Sequence, residues 1–81
     1  MPRETLFFAQ SFRASGRKVI ASTPEKFRSR ELAIAAATRM LAVKAGAIAF
    51  EVTGDPEGGE YDEPIFLFKE GLIPRELRER E

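Results

Sequence analysis

Apolar side chains recur over four short stretches of the chain, and each stretch is bounded by glycine, proline or small polar residues. Such stretches predict β-strands, here over 5–12, 18–22, 47–53 and 64–69. Small residues at 14–17 connect the first two strands, and a segment rich in Gly and acidic residues at 54–59 connects the last two. Each pair of strands is therefore expected to form a β-hairpin.

Between the two hairpins the pattern changes to one that predicts a helix over 30–45. This segment contains six alanines and no glycine or proline. Ser29 is expected to cap its N-terminus, and Gly46 is expected to end it in the left-handed conformation. The face expected to pack on the sheet consists of Leu32, Ala33, Ala36, Ala37, Met40 and Val43.

The order of these elements predicts an α+β fold, ββαββ, with one helix on one face of a four-stranded, mostly antiparallel sheet. The length of 81 residues corresponds to a single domain spanning 1–81. Residues 1–4 and 75–81 are expected to form frayed ends or tails.

The first and the last predicted strands are apolar on both sides, and a single helix can cover only one face of the sheet. Strict alternation places Phe66 and Phe68 on the same side of the last strand, and Phe7 opposite Leu6 and Phe8 in the first. In the third strand it places Ile48, Phe50 and Val52 on one side. An aromatic side chain left exposed forfeits roughly 1.5–3 kcal/mol of burial. The tail, a second copy or another protein could cover these side chains. The candidate interface residues are Phe7, Phe66, Phe68, Leu72 and Ile73.

Charge is distributed unevenly, although the formal net charge is zero. Residues 1–50 carry nine Lys or Arg against three Asp or Glu, a balance of +6, and residues 51–81 carry a balance of −6. The two halves could neutralise each other within one sheet, or the first half could bind nucleic acid or a phosphate ligand. The candidate anion-binding residues are Arg13, Arg17, Lys18, Arg28 and Arg30. A pI near 6.3 and the lack of an RRM motif count against a nucleic-acid domain.

The residue types needed for most catalytic sites are missing. The chain has no His and no Cys, and it contains no phosphate-binding glycine loop or nucleophile elbow. We therefore expect a protein that is not an enzyme and that uses no cofactor or metal. No apolar run approaches the length of a membrane span, which predicts a cytoplasmic protein without a membrane partner.

The acidic hairpin contains residues with two alternative interpretations. The spacing from Asp55 fails the EF-hand pattern, since Glu60 stands where Gly is required and Phe66 where a carboxylate is required. A solvated hairpin tip explains Asp55 and the glycines. The candidate recognition loop consists of Asp55, Glu60, Tyr61 and Asp62.

Residues 45–50, 53–56 and 59–62, together with Gly71 and Pro74, resemble a family of short uncharacterised alphaproteobacterial proteins. In that family an Ala-rich helix precedes the same Gly-Asp-Pro and Gly-Glu-Tyr hairpin. The resemblance covers roughly the second half of the chain, and it implies a shared fold but no activity.

The prediction from the sequence is thus a small non-catalytic protein-interaction or accessory module. It is expected to form a homodimer, or to bind another protein, through an apolar sheet face or an edge strand. The alternative is binding of nucleic acid or a phosphate ligand by the basic first half.

Overall fold

A computed structural model describes residues 3–78, which form six β-strands and two helices. The elements are β1 (Glu4–Ser15), β2 (Lys18–Ala21), β3 (Glu25–Phe27), α1 (Arg30–Met40), β4 (Gly46–Asp55), β5 (Glu60–Tyr61), β6 (Ile65–Gly71) and α2 (Arg75–Arg78). Neither helix within 3–78 has the length and apolar character needed to cross a membrane. The described part of the chain is therefore a small α+β fold with one main helix.

The two longest strands form the centre of the sheet. β1 and β4 run antiparallel and pair from Glu4 opposite Gly54 to Phe12 opposite Gly46. β2 and β3 pair with the other edge of β1, while β5 and β6 pair with the other edge of β4, again antiparallel. The mostly antiparallel sheet is confirmed.

The predicted number of strands is wrong, because both outer edges are interrupted. Residues 22–24 separate β2 from β3, and residues 62–64 separate β5 from β6. Pro24 and Pro64 lie in these gaps, and proline has no N–H to contribute to a ladder. The sheet thus has six strands instead of four, and the order ββαββ holds only roughly.

Helix α1 begins as predicted but ends earlier. The Oγ of Ser29 accepts a hydrogen bond from the Leu32 N–H at 3.1 Å, which confirms the N-cap. The helix stops at Met40 instead of residue 45. Gly46 is not a helix cap, because it is the first residue of β4. A Cβ at Gly46 would collide with the backbone of Leu72, so this position requires glycine for close packing.

Alanine forms the contact between α1 and the sheet. The six fully or almost fully buried residues of this cluster are Ala9, Ala33, Ala36, Ala37, Ala47 and Ala49. Such small side chains allow the helix to lie close to β1 and β4. The buried stripe is narrower than predicted, since Leu32 is 50% exposed and Val43 is 80% exposed.

A β-bulge in β6 overturns the alternation expected for that strand. Phe66 pairs with Phe50, whereas Phe68 pairs with Ala49, so Leu67 is the extra residue. Phe68 and Leu67 consequently pack against the alanine cluster under α1, and Phe66 packs on the opposite face. The prediction that Phe66 and Phe68 share a face is therefore wrong.

The segment after β6 folds back over one end of the face opposite α1. Ile73 is only 6% exposed and forms a cluster with Phe12 and Ile48. Leu77 of α2 packs on the same cluster, and its carbonyl accepts a hydrogen bond from Lys69 Nζ at 3.0 Å.

The frayed ends or tails expected at 1–4 and 75–81 lie partly within the described residues. Glu4 belongs to β1, and residues 75–78 form the short helix α2. Residues 1–2 and 79–81, which belong to the same prediction, lie outside the described residues.

Candidate functional site

An aromatic and apolar surface lies on the sheet face opposite α1, beyond the end that Ile73 covers. We call it the aromatic face, and its residues are Leu6, Phe8, Phe50, Val52, Tyr61 and Phe66. All of them except Tyr61 are half-buried, and Tyr61 is 45% exposed. The described chain therefore leaves this surface in partial contact with solvent.

The register of the strands aligns three phenylalanines across the sheet. Phe8 pairs with Phe50 and Phe50 with Phe66, and paired residues point to the same face. The ring centroids of Phe8 and Phe50 are 5.3 Å apart, and those of Phe50 and Phe66 are 6.1 Å apart. The three rings thus form one continuous row, and such pairs contribute about 0.5–1.5 kcal/mol beyond their burial.

Tyr61 extends this row toward the acidic hairpin. It pairs with Gly54, which follows Phe50 and Val52 on the same side of β4. The Tyr61 ring lies across Gly54, where any side chain at position 54 would collide with it. One residue of the predicted recognition loop therefore belongs to the aromatic face.

Both signs of charge border the aromatic face. Lys26 pairs with Phe8 at the β3 edge, and Lys69 Nζ lies 5.1 Å from the centroid of the Phe66 ring. Glu4 pairs with Gly54 at the opposite end of the surface. Positive and negative side chains therefore lie toward different ends of the same face.

The candidate interface residues do not form one surface. Phe7 and Phe68 pack against the alanine cluster on the helix side, so neither is available to an interface on the opposite face. Ile73 is buried, and its neighbour Leu72 is 40% exposed. Phe66 is the one member of that set on the aromatic face.

Sequence reasoning missed four residues of this face, namely Leu6, Phe8, Phe50 and Val52. The period-two pattern of residues 47–53 did place Phe50 and Val52 together on one side of a strand. The pairing with β1 then joins Leu6 to Val52 and Phe8 to Phe50. The alternation in residues 47–53 was therefore visible in the sequence, but the pairing of this strand with β1 was not.

Two of the three carboxylates of the predicted recognition loop make contacts within the fold. Asp55 Oδ1 accepts a hydrogen bond from the Glu57 N–H at 3.0 Å, as expected for a turn. Asp62 forms an ion pair with Arg3 at 2.8 Å, and Glu60 is exposed. No group of three or more potential metal ligands occurs within residues 3–78.

The basic set is split between the two ends of the sheet. Arg13, Arg17 and Lys18 lie around the β1–β2 turn, whereas Arg28 and Arg30 follow β3. About 20 Å of β1 separates these groups at the usual rise per residue.

Two further observations concern residues considered for nucleic-acid binding. Arg30 donates to Glu51 at 3.2 Å, which joins the two oppositely charged halves of the chain. Phe7 and Phe27 pack on the helix side and Phe12 is 2% exposed, so these rings do not form a stacking surface for bases.

Comparisons of this chain with protein-family models, with curated proteins and with solved structures find no match.

Proposed function

We propose that this chain is a small non-catalytic interaction module that self-associates through the aromatic face. The observation that carries the proposal is the continuous row formed by Phe8, Phe50 and Phe66 on the sheet face that α1 does not cover. Apolar surface of this kind is stabilised when it is removed from water. A second copy would remove it by packing the same faces of two sheets together.

Charge complementarity supports a second copy as the occupant. A two-fold axis packs one surface against a copy of itself, so that a residue i away from the axis meets a residue j of the partner and j meets i. Glu4 lies at one end of the aromatic face, and Lys26 lies two rows further along β1. An antiparallel pair of copies would therefore bring Glu4 of each copy toward Lys26 of the other. Such charge pairs fix the alignment of the two copies more than they increase the affinity between them.

The edges of the sheet favour self-association through the aromatic face over the pairing of edge strands from two copies. The bulge at Leu67 interrupts the outer edge strand β6, and Pro24 interrupts the other outer edge. Bulges and prolines are common devices by which proteins prevent edge-to-edge pairing. Within residues 3–78 nothing comparable obstructs the aromatic face, and Tyr61 and Phe66 remain accessible there.

The solution mass across a dilution series, measured by light scattering, tests this proposal. We expect the unmodified chain to approach twice 9.1 kDa at high concentration and to dissociate on dilution. Tyr61→Ser and Phe66→Ser should shift the dissociation to higher concentration by about tenfold or more, as expected for loss of central aromatic contacts. Far-UV circular dichroism would establish that each variant remains folded.

Val43→Ser is the matched control, because it also replaces an exposed apolar residue by serine. Val43 is 80% exposed and lies after α1, outside the aromatic face. This variant should dissociate at the same concentration as the unmodified chain. A chain that stays monomeric at every concentration would refute the proposal, and so would equal effects of Val43→Ser and Phe66→Ser.

A further inference from the structure

A small pocket lies where the β1–β2 hairpin meets residues 41–45, the segment between α1 and β4. Its volume is about 70 Å³, and its walls include Ser11, Arg13, Ser22 and Lys44. Pockets that hold whole small molecules measure roughly 300–1,000 Å³. This pocket therefore suits one small chemical group and not a complete cofactor. None of its lining residues belongs to the aromatic face.

Two cations from separate parts of the chain meet at this pocket. The Ala45 N–H donates to the Phe12 carbonyl at 3.1 Å, which fixes the segment containing Lys44 against β1 beside Arg13. Neither Arg13 nor Lys44 forms an ion pair with a carboxylate within residues 3–78.

The surrounding sequence adds positive charge without nearby compensation. Residues 5–24 contain Arg13, Arg17 and Lys18 but no Asp or Glu. Glu70 lies in the same row of the sheet as Ser11, with β4 between them, which separates their backbones by about 10 Å. This carboxylate lowers the affinity for an anion but does not line the pocket.

A serine hydroxyl on the wall of the same pocket offers a donor. Ser22 Oγ accepts hydrogen bonds from the Ser11 N–H at 3.0 Å and from Ser11 Oγ at 3.1 Å. Its own proton points to the Thr23 carbonyl at 3.5 Å, which is too long for a strong hydrogen bond. The Ser22 hydroxyl can therefore turn toward an anion at little cost.

We propose that this pocket binds a single phosphate group, either free phosphate or the end of a small phosphate monoester. A planar guanidinium such as that of Arg13 can bind two phosphate oxygens, and Lys44 on the same pocket adds a second positive charge. Ser22 donates one neutral hydrogen bond. Both cations reach solvent, so the affinity is modest and falls as salt concentration rises. The proposal is independent of self-association.

A titration followed by ¹⁵N–¹H NMR at constant ionic strength tests it, first with inorganic phosphate and then with glycerol 3-phosphate. We expect saturable shifts of the Ser11, Ser22 and Lys44 amide signals. Tighter binding of glycerol 3-phosphate would assign the pocket to the phosphate end of a larger molecule, and equal affinity would show that the pocket accepts a phosphate group from either source. Much tighter binding of inorganic phosphate would assign it to the free ion. Shifts that do not saturate with either ligand would overturn the proposal.

Charge-matched variants separate a built site from general attraction of anions. Arg13→Gln and Lys44→Gln should each weaken binding by about tenfold, the effect of losing one charged hydrogen bond. Arg28→Gln removes the same charge about 20 Å away along the sheet, beyond the screening length of about 8–10 Å, and should change affinity less than about twofold. Equal weakening by all three variants would contradict the proposed site. These side chains are exposed, so the variants are expected to fold.

Discussion

Phe66 and Phe68, two residues apart in β6, lie on opposite faces of the sheet. The bulge at Leu67 separates them, with Phe66 opposite Phe50 and Phe68 opposite Ala49. Phe68 thereby joins the core under α1, and Phe66 joins the aromatic face. Phe68 consequently stabilises the fold, whereas Phe66 is available to stabilise the proposed dimer.

We predict that Phe68→Ala and Phe66→Ala separate these two roles in urea unfolding. The unfolding midpoint of a self-associating chain rises with protein concentration. Phe68→Ala should lower the midpoint by an amount that corresponds to about 1.5–3 kcal/mol and should keep the concentration dependence. Phe66→Ala should weaken self-association, so that the concentration dependence moves to protein concentrations about tenfold higher. The reverse assignment of the two effects would show that the faces have been identified incorrectly.

The contact between Tyr61 and Gly54 gives a second prediction. A Cβ at position 54 would meet both the Tyr61 ring and the Glu60 carbonyl, so Gly54→Ala should destabilise the fold by about 1–3 kcal/mol. It should also displace Tyr61 and weaken self-association. Unfolding curves and light scattering on the same sample would measure both effects.

Gly58→Ala is the control for this prediction, because it makes the same change in the same hairpin. Its added Cβ would come no closer than 3.1 Å to the Asp55 carboxylate, which can move into solvent. We expect a change of less than about 1 kcal/mol. A Gly54→Ala variant as stable as Gly58→Ala would show that the chain has room at Gly54.

The features that could be predicted from the sequence are those that local interactions decide. The N-terminus of α1 was predicted correctly because the Ser29 hydroxyl accepts a hydrogen bond from the Leu32 N–H, only three residues away. The C-terminus of α1 was predicted incorrectly because residues that are distant in the sequence determine where the helix ends. Ala45 is held in a non-helical conformation by bonds from its N–H to Phe12 and from the Leu72 N–H to its carbonyl.

Pairing register accounts for the part of the candidate site that the sequence did not predict. Alternation in residues 47–53 predicted one side of β4 correctly, including Phe50 and Val52. A bulge depends on the partner strand, so the position of Phe66 relative to Phe68 could not be read from β6 alone. Likewise, Tyr61 joins the aromatic face only through its pairing with Gly54.

The alanine contact between α1 and the sheet predicts unusual sensitivity to larger side chains. Ala37 is 0% exposed and belongs to the alanine cluster, so Ala37→Leu should cost about 1–3 kcal/mol by forcing α1 away from the sheet. Ala35→Leu makes the same change on the exposed side of α1 and should stay within about 0.5 kcal/mol. Thermal or urea unfolding would compare the two. Equal losses of stability in the two variants would mean that leucine destabilises the helix α1 itself and not its packing on the sheet.

The segment after β6 gives the last prediction, since adjacent residues there have different burial. Ile73 is 6% exposed and packs with Phe12 and Ile48, whereas Leu72 is 40% exposed. Ile73→Ala should therefore cost about 2–4 kcal/mol, from lost transfer energy and an unfilled cavity. Leu72→Ala, its matched control, should cost less than about 1 kcal/mol. Urea unfolding would measure both, and NMR shifts at Ile48 should change only in the Ile73 variant.

If the Leu72 variant lost as much stability as the Ile73 variant, the segment after β6 would not be held by this one buried side chain. The aromatic face would then extend over Phe12 and Ile48 as well, because the segment that separates them from solvent would be only loosely attached.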